Sequence, residues 1–466
     1  MPISSPHPLY EANLGRWNRC RAAYEGEDAV KAAGETYLPK VDPSQTGAEY
    51  AAYKGRAMYY EAVSRTVDGF VGAISRKPHK FSVPDSLASM LDDVTLDGTS
   101  AAEFVKVLTG DALLVGRGGL LVDFDTADNR PYFSYYPAEA VINWSATSVV
   151  LMESVYEADS ADIFKQVEVP QIRQVHLGPD GCLVTLWRKS SAVQDAGGWA
   201  VYRESVPARR GVVLQELPWV WLSPIGRSAK VSKPPLLGLV NVSMSHYRSS
   251  ADLEHGRHFT AMPTLYITGS SSTDAVKVGG GAAIVLSDAQ AKVGYAEFTG
   301  QGLSSLEKAI EDKEQQMAVL GAAVFAGGKK GVEAAETARI RTSAENSLLM
   351  GVVSSVEESL TEALRMAAMW AGAPVDEVSV HLNRDFIAEA LDPQTLVGMV
   401  QAFQAGAMTL DTFTYCLQQG DMLPPDTDLD DEVAKLAAAK AAADKVLAAA
   451  AKPGPAVPAP QSQGDK

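Results

Sequence analysis

Two long helical patterns separated by a short β-like insertion, all within residues 234–331, constrain this chain more than any other feature. Leu237, Val240, Met244, Tyr247 and Ala251 recur at the i, i+3, i+4 spacing of one helical face. Asn241, Ser245, Arg248 and Asp252 occupy another face, so the spacing predicts a helix over 236–259. Pro263 disfavours helix at Met262. Residues 264–298 then read as a small β module, with strands expected at 264–268 and 283–286. Ser304 and Glu307 have the spacing of a capping box and open a second helix, 304–325, with a seam at Leu303, Leu306, Ile310, Met317 and Leu320. Helices joined in this way form a projecting hairpin, which suits assembly about an axis better than housing an active site.

The flanking sequence reads as α+β. A buried helical stripe runs from Tyr50 to Ile74 through Tyr59, Ala62, Val63, Thr66, Val67, Phe70 and Val71, and Pro78 helps to stop it. A second helix is expected over 101–115, then a glycine break at 116–119 and a buried strand at 120–124. From 132 to 222 the period shortens to strands at 149–152, 172–177, 183–187 and 199–203, divided by turn signals such as Asp180-Gly181 and Gly197-Gly198. These form an antiparallel sheet lobe. The stripe Leu349, Val352, Val356, Leu360, Leu364 and Ala367 predicts a long helix over 335–371, stopped by Gly372 and Pro374 and about 55 Å in length. A strand is expected at 377–382. Two short helices follow, one from Asp392-Pro393 to Gly406 and one over 409–419 closed by Gly420. Residues 430–452 are alanine- and lysine-rich and read as helix, and 453–466 as a disordered Pro/Gln/Ser tail.

At 466 residues the chain is long enough for two or three lobes, and its 21% charged and 46% hydrophobic content is that of a globular protein. Cys20, Cys182 and Cys416 lie far apart without CxxC spacing, which argues against a zinc site or a disulfide framework and fits a reducing compartment. The first residues lack the basic and apolar regions of a signal peptide, and the longest apolar stretch, 317–328, is too short to span a bilayer. The net charge of −16 argues against a tight grip on DNA phosphates. It fits either loose contact in a channel or a surface kept soluble by carboxylates.

Signals for chemistry are weak. Gly116-Arg117-Gly118-Gly119 begins like a dinucleotide fingerprint, but Leu121 stands at the third glycine position and a strand follows where a helix is needed. Gly327-Gly328-Lys329-Lys330 lacks the remaining glycine and the Ser/Thr of a phosphate loop. His246, His255 and His258 share a helix, yet the glutamate precedes both later histidines and the spacing is not HExxH. No catalytic residue, cofactor or metal site is expected. Lys329 and Lys330 are the candidate DNA contacts if the hairpin faces a channel, and a solvated loop is the competing reading.

The stretch from Trp219-Val220-Trp221 through Pro234-Pro235 to His246-Tyr247-Arg248 and Asp252 resembles the portal (head–tail connector) proteins of tailed double-stranded DNA phages. Three further segments are similar to that family in the same order: Tyr135 to Trp144, Phe259 to Gly269, and Glu333 to Arg341. The likeness covers roughly residues 10–435 and carries no chemical motif. It implies a wing over 1–235, helical and then antiparallel sheet, followed by a first stem helix over 236–259. A clip over 260–299, a second stem helix over 300–325, a tunnel loop over 326–340 and a long wing helix with its strand over 341–391 come next. A crown over 392–452 precedes the disordered tail. By the same resemblance about twelve copies would form a ring at one capsid vertex. Implied partners are the major capsid protein, the terminase large subunit, head-completion and tail proteins, and double-stranded DNA passing without sequence specificity. No membrane is implied; synthesis would be in the host bacterial cytoplasm and the final location the virion. The short crown and alanine-rich end depart from the family pattern. A nucleotide-dependent enzyme would need the phosphate loop this chain lacks, and the other rival is a phage head scaffold or adaptor without a channel.

Overall fold

The computed structural model describes residues 2–159, 162–190, 195–209, 211–261, 264–269, 290–296, 302–321, 335–386, 393–419, 431–435, 437–439 and 441–442. The chain divides into two compact units, Met1–Arg384 and Asp385–Lys466. The architecture is mixed α+β.

The first unit begins with helix α1 (Pro8–Glu25). Its first turn is set by Pro8, and His7 Nδ1 accepts a hydrogen bond from the Leu9 N–H at 3.1 Å. Helices α2 (Glu27–Ala32), α3 (Gly47–Arg56) and α4 (Ala62–Ile74) follow. The helix expected to run unbroken from Tyr50 to Ile74 is therefore two, interrupted at 57–61. The physical reason lies outside the segment. The Met58 and Tyr59 N–H groups donate to Ser250 Oγ and Glu27 Oε2, at 3.3 and 3.1 Å, instead of to the preceding helical turn. The C-terminal half keeps the expected stripe, with Ala62, Val63, Thr66, Val67, Phe70 and Ile74 buried.

Strand β1 (Lys80–Ser82) leads to α5 (Ala101–Leu114), which opens on a capping box between Ser100 and Glu103. β2 (Gly118–Asp125) and β3 (Arg130–Pro137) pair antiparallel. β4 (Val141–Trp144), β5 (Ser148–Ala158), β6 (Gln166–Gly178), β7 (Gly181–Lys189) and β8 (Trp199–Ser205) form a five-stranded antiparallel meander in that order. The four strands expected between 149 and 203 are its last four. The short pair β9 (Ala208–Arg209) and β10 (Val212–Val213) precedes β11 (Trp219–Leu222), which returns to pair with β2. Leu121, Tyr136, Val141, Trp144, Val149, Leu151, Val175, Cys182 and Trp219 make one core cluster across these sheets.

Next come α6 (Leu237–Thr260), β12 (Thr264–Thr268), β13 (Lys292–Ala296), α7 (Leu303–Leu320) and the 37-residue helix α8 (Ala335–Ala371). The expected stripe of α8, from Leu349 to Ala367, is buried, packed against α5 and the strands β2, β3 and β11. Each leucine or valine of the stripe contributes about 1.5–3 kcal/mol by leaving water. Gly372 at φ +76° ends the helix: its N–H donates to Met369 O at 3.2 Å and the Ala373 N–H to Ala368 O at 2.9 Å, a Schellman arrangement. β14 (Ser379–His381) then pairs with β1, joining the far end of the unit to its beginning. The second unit contains α9 (Pro393–Gln404) and α10 (Leu410–Gln419), and Gly406 at φ +72° closes α9 in the same way.

Candidate functional site

The expected hairpin is present: α6 and α7 pack side by side, and β12 and β13 lie between them in the chain. One face of α6 is fixed to the body. Tyr53 donates to Asp252 Oδ1 at 2.6 Å, Ser243 Oγ donates to the Tyr59 hydroxyl at 3.0 Å, and the Tyr59 and Tyr247 rings meet edge to face. The expected seam Leu237, Val240, Met244, Tyr247 and Ala251 is buried, and Ser243, His246, Ser250 and Leu253 widen it. The extra polar members are there because α6 faces two neighbours, the body and α7.

The contact with α7 is close and largely polar at its edges. A Cβ on Gly256 would stand 2.6 Å from Leu303 Cδ2, so the absence of a side chain lets the helices approach. Arg257 bridges Glu254 and Glu307 at 2.8 and 2.9 Å, and Lys313 Nζ donates to Ser249 Oγ at 2.7 Å. His246 Nε2 lies 3.5 Å from Glu314 Oε1. Two expectations for α7 need correction. The N-cap is Gly302 without a side-chain capping bond, so Ser304 and Glu307 do not form the box. Glu307 is turned to Arg257 instead. The seam is also shallow: Leu303, Leu306 and Ile310 are half-buried, Met317 is buried, and Leu320 is 45% exposed. The helix has α6 as its main neighbour and leaves most of its circumference to solvent.

At the other end of the pair, β12 and β13 form an antiparallel ribbon running from the Thr264↔Ala296 pairing to Thr268↔Lys292. The 264–268 strand stands where the sequence places it. Its partner is 292–296, and the strand expected at 283–286 lies outside the described residues. Tyr266 packs over Gly294, where a Cβ would come within 2.6 Å of the hydroxyl. Tyr266, Val293 and Tyr295 are substantially exposed. Beside the α6 C-terminus a cavity of about 390 Å³ is lined by Val41, Asp252, His255, Phe259, Leu303 and Leu306. Its walls are mainly apolar, and its one carboxylate is already bonded to Tyr53. Lys329 and Lys330, the candidate DNA contacts, lie outside the described residues.

The three α6 histidines go to different surroundings. His246 is buried against Tyr60, His255 meets the Tyr53 and Phe259 rings, and His258 meets Phe259 from another side. Burial lowers the pKa of His246, with Glu314 opposing. Burial and then Arg56 lower that of His255. Among the described residues no three His, Cys, Asp or Glu side chains group as a metal site.

Two of the 116–119 glycines, Gly118 and Gly119, make room for rings. A Cβ on Gly118 would lie 2.5 Å from the Tyr135 hydroxyl, and one on Gly119 1.9 Å from Trp219. Just before them Arg117, 1% exposed, is held between the Trp144 and Trp221 rings, 4.2 Å from each centroid, and donates to Ala229 O at 2.9 Å. His7 stacks on Trp144 at 4.0 Å. Burial lowers Arg117 to about 10. A second tie joins α1 to the sheets: Asp111 accepts from Arg21 and Tyr135, and Arg21 also pairs with Glu139 at 3.0 Å. Neither arrangement leaves a periodic trace in the sequence. The one local hint is an arginine set among glycines just before an apolar strand.

A family described as "Domain of unknown function (DUF4055)" matches residues 235–371, from the start of α6 to the end of α8. No curated protein matches the chain. Similar solved structures include a chain of "Neck of empty GTA particle computed with C6 symmetry". It shares 12% identity over 75% of this chain and 86% of that one, at a TM-score of 0.38. A chain of "Virion of native gene transfer agent (GTA) particle" shares 12% identity over 82% and 94%, at 0.37. A chain of "Neck of native GTA particle computed with C12 symmetry" gives the same identity and coverage at 0.38. Likenesses at these scores transfer no role. Among the described residues no helix is long and apolar enough to cross a membrane.

Proposed function

We propose that this chain is the subunit of a phage portal, a ring of about twelve copies at one capsid vertex through which DNA is packaged, retained and ejected. The observation that carries the reading is the α6–α7 hairpin. α6 is anchored to the body along one face, α7 among the described residues touches little but α6, and a β ribbon stands between the two helices in sequence. The α7 half of the hairpin contributes little to the core of its own subunit, with Met317 its one buried side chain among the described residues, whereas identical hairpins set side by side can wall a channel. The resemblance of residues 219–252 to portal proteins supports the same assignment, as does the long helix α8 packed on the sheets.

In this reading the role is structural and no reaction is catalysed. The ribbon is the docking end for terminase during packaging and for head-completion or tail proteins afterwards, and the outer body meets the capsid protein. Lys329 and Lys330 touch passing phosphates without a sequence preference. Electron microscopy and mass measurement on the purified chain test the assignment. Rings of about twelve copies with a central hole are expected. Monomers or dimers alone, across buffers that support assembly, overturn it and favour a channel-free head adaptor.

A further inference from the structure

We infer that residues 2–7 form a strap across one face of the five-stranded sheet, with His7 as a latch that acid releases. The strap is tied down on both sides of the sheet. Before β8, the Ile3 N–H donates to Asp195 Oδ2 at 2.6 Å. At β4, Asn143 Nδ2 donates to Ser5 O and the His7 N–H donates to Ile142 O, each at 2.9 Å. Between these ties the Ile3 side chain packs on Ile142, Val150, Ile172 and Trp199, one residue from each of β4, β5, β6 and β8. A Cβ on Gly197 would lie 2.9 Å from both Pro2 Cβ and Ser4 Oγ, so a glycine there lets the strap lie close.

The latch follows from what a second proton on His7 would meet. Nδ1 accepts the Leu9 N–H, so the neutral ring carries its proton on Nε2. A proton on Nδ1 would set two N–H groups against each other and strip α1 of its cap. The new charge would also face the positive end of α1 and the Arg117 guanidinium, 4.2 Å from the Trp144 ring on which His7 stacks. The elements packed around the imidazole bring few other charges. α1 brings Tyr10 and Glu11, and the turn before β4 brings Glu139, which is paired with Arg21. The segment before β8 brings Asp195, whose carboxylate accepts the Ile3, Gly197 and Trp199 N–H groups. β4 itself brings Asn143 and Trp144, which are uncharged.

Burial and then Arg117 hold the His7 pKa below 6.5. A released strap binds the proton at the ordinary value, so closure is complete above about 6.5 and weakens as pH falls below it. From pH 7.5 to 5.5 the open fraction then rises by up to about tenfold. Nothing in this latch depends on ring assembly, so its failure leaves the portal reading standing.

Hydrogen exchange in the full-length purified chain, corrected for the intrinsic rate at each pH, tests it. Protection of the Ile3, Ser5 and His7 amides should fall about three- to tenfold from pH 7.5 to 5.5, while the α8 amides keep theirs. His7→Asn retains a capping oxygen without a titrating group and should remove that fall. Exchange at the His7 ring C2 position, read by mass spectrometry in an assembly of any size, should give a midpoint below 6.5. A variant whose strap is already open at pH 7.5 shifts the decision to that midpoint. Unchanged protection at pH 5.5, or a fall that persists in His7→Asn, overturns the latch. So does a fall shared by α8, or a His7 midpoint at or above 6.5.

Discussion

At the scale of single residues, the decisive contacts join positions far apart in sequence. Gly119 faces Trp219 across the β2–β11 pairing, and a methyl group there overlaps the indole. Gly119→Ala should cost about 2–3 kcal/mol, read as a lower urea midpoint, because the strand or the ring must shift. The sequence marks 116–119 as a turn. The reason its last two glycines cannot carry side chains sits at Tyr135 and Trp219, beyond any local pattern. His246 gives a pH prediction. It is buried, with Tyr60 from the α3–α4 link and Glu314 and Lys313 from α7 around it, and its folded pKa lies below the ordinary 6.5. The unfolded chain therefore binds the proton more readily, so this contribution to stability is complete above about 6.5 and is lost as pH falls below it. His246→Gln should flatten that part of the stability profile between about pH 7.5 and 5; an unaltered profile would refute the assignment.

At the scale of elements, those shaped by local rules were legible and those shaped by distant partners were not. Helix α8 spans the expected 335–371 because its apolar stripe and its Gly372 stop are both encoded within it. The meander strands were legible for the same reason, since alternation and Asp180-Gly181 act over a few residues. The break at 57–61 was not, because Glu27 and Ser250 take its N–H groups. Nor was strand 292–296, whose five residues include Gly294 and acquire meaning only opposite 264–268. Helix α7 was expected with a full seam and has a shallow one, because among the described residues α6 is its main neighbour. Two substitutions separate these contributions. Leu360→Ala on α8 removes a side chain that is 1% exposed and should cost about 2–5 kcal/mol of unfolding free energy. Arg257→Ala breaks bridges to Glu254 and Glu307 that are open to solvent and should cost about 1 kcal/mol or less.

At the scale of the whole molecule, net charge sets how assembly and DNA contact respond to salt. Bringing copies of a −16 chain into a ring concentrates negative charge, and the resulting repulsion acts over roughly a Debye length, about 10 Å at 0.1 M salt. Raising ionic strength should therefore shift the chain towards rings. The proposed contacts between Lys329 or Lys330 and phosphate would respond oppositely, because each neutralised phosphate releases counterions and loses affinity as salt rises. The two dependences separate the two events on one preparation. From about 50 to 300 mM salt, sedimentation should show more ring, while DNA retained per assembled particle should fall. Lys329→Ala with Lys330→Ala should leave the first trend unchanged and flatten the second, since in the proposed reading the lysines act on DNA and not between subunits. Retention with the same salt slope in that double variant would mean that these lysines do not touch the duplex. Assembly that weakens with salt would mean that attractive ion pairs between copies hold the ring.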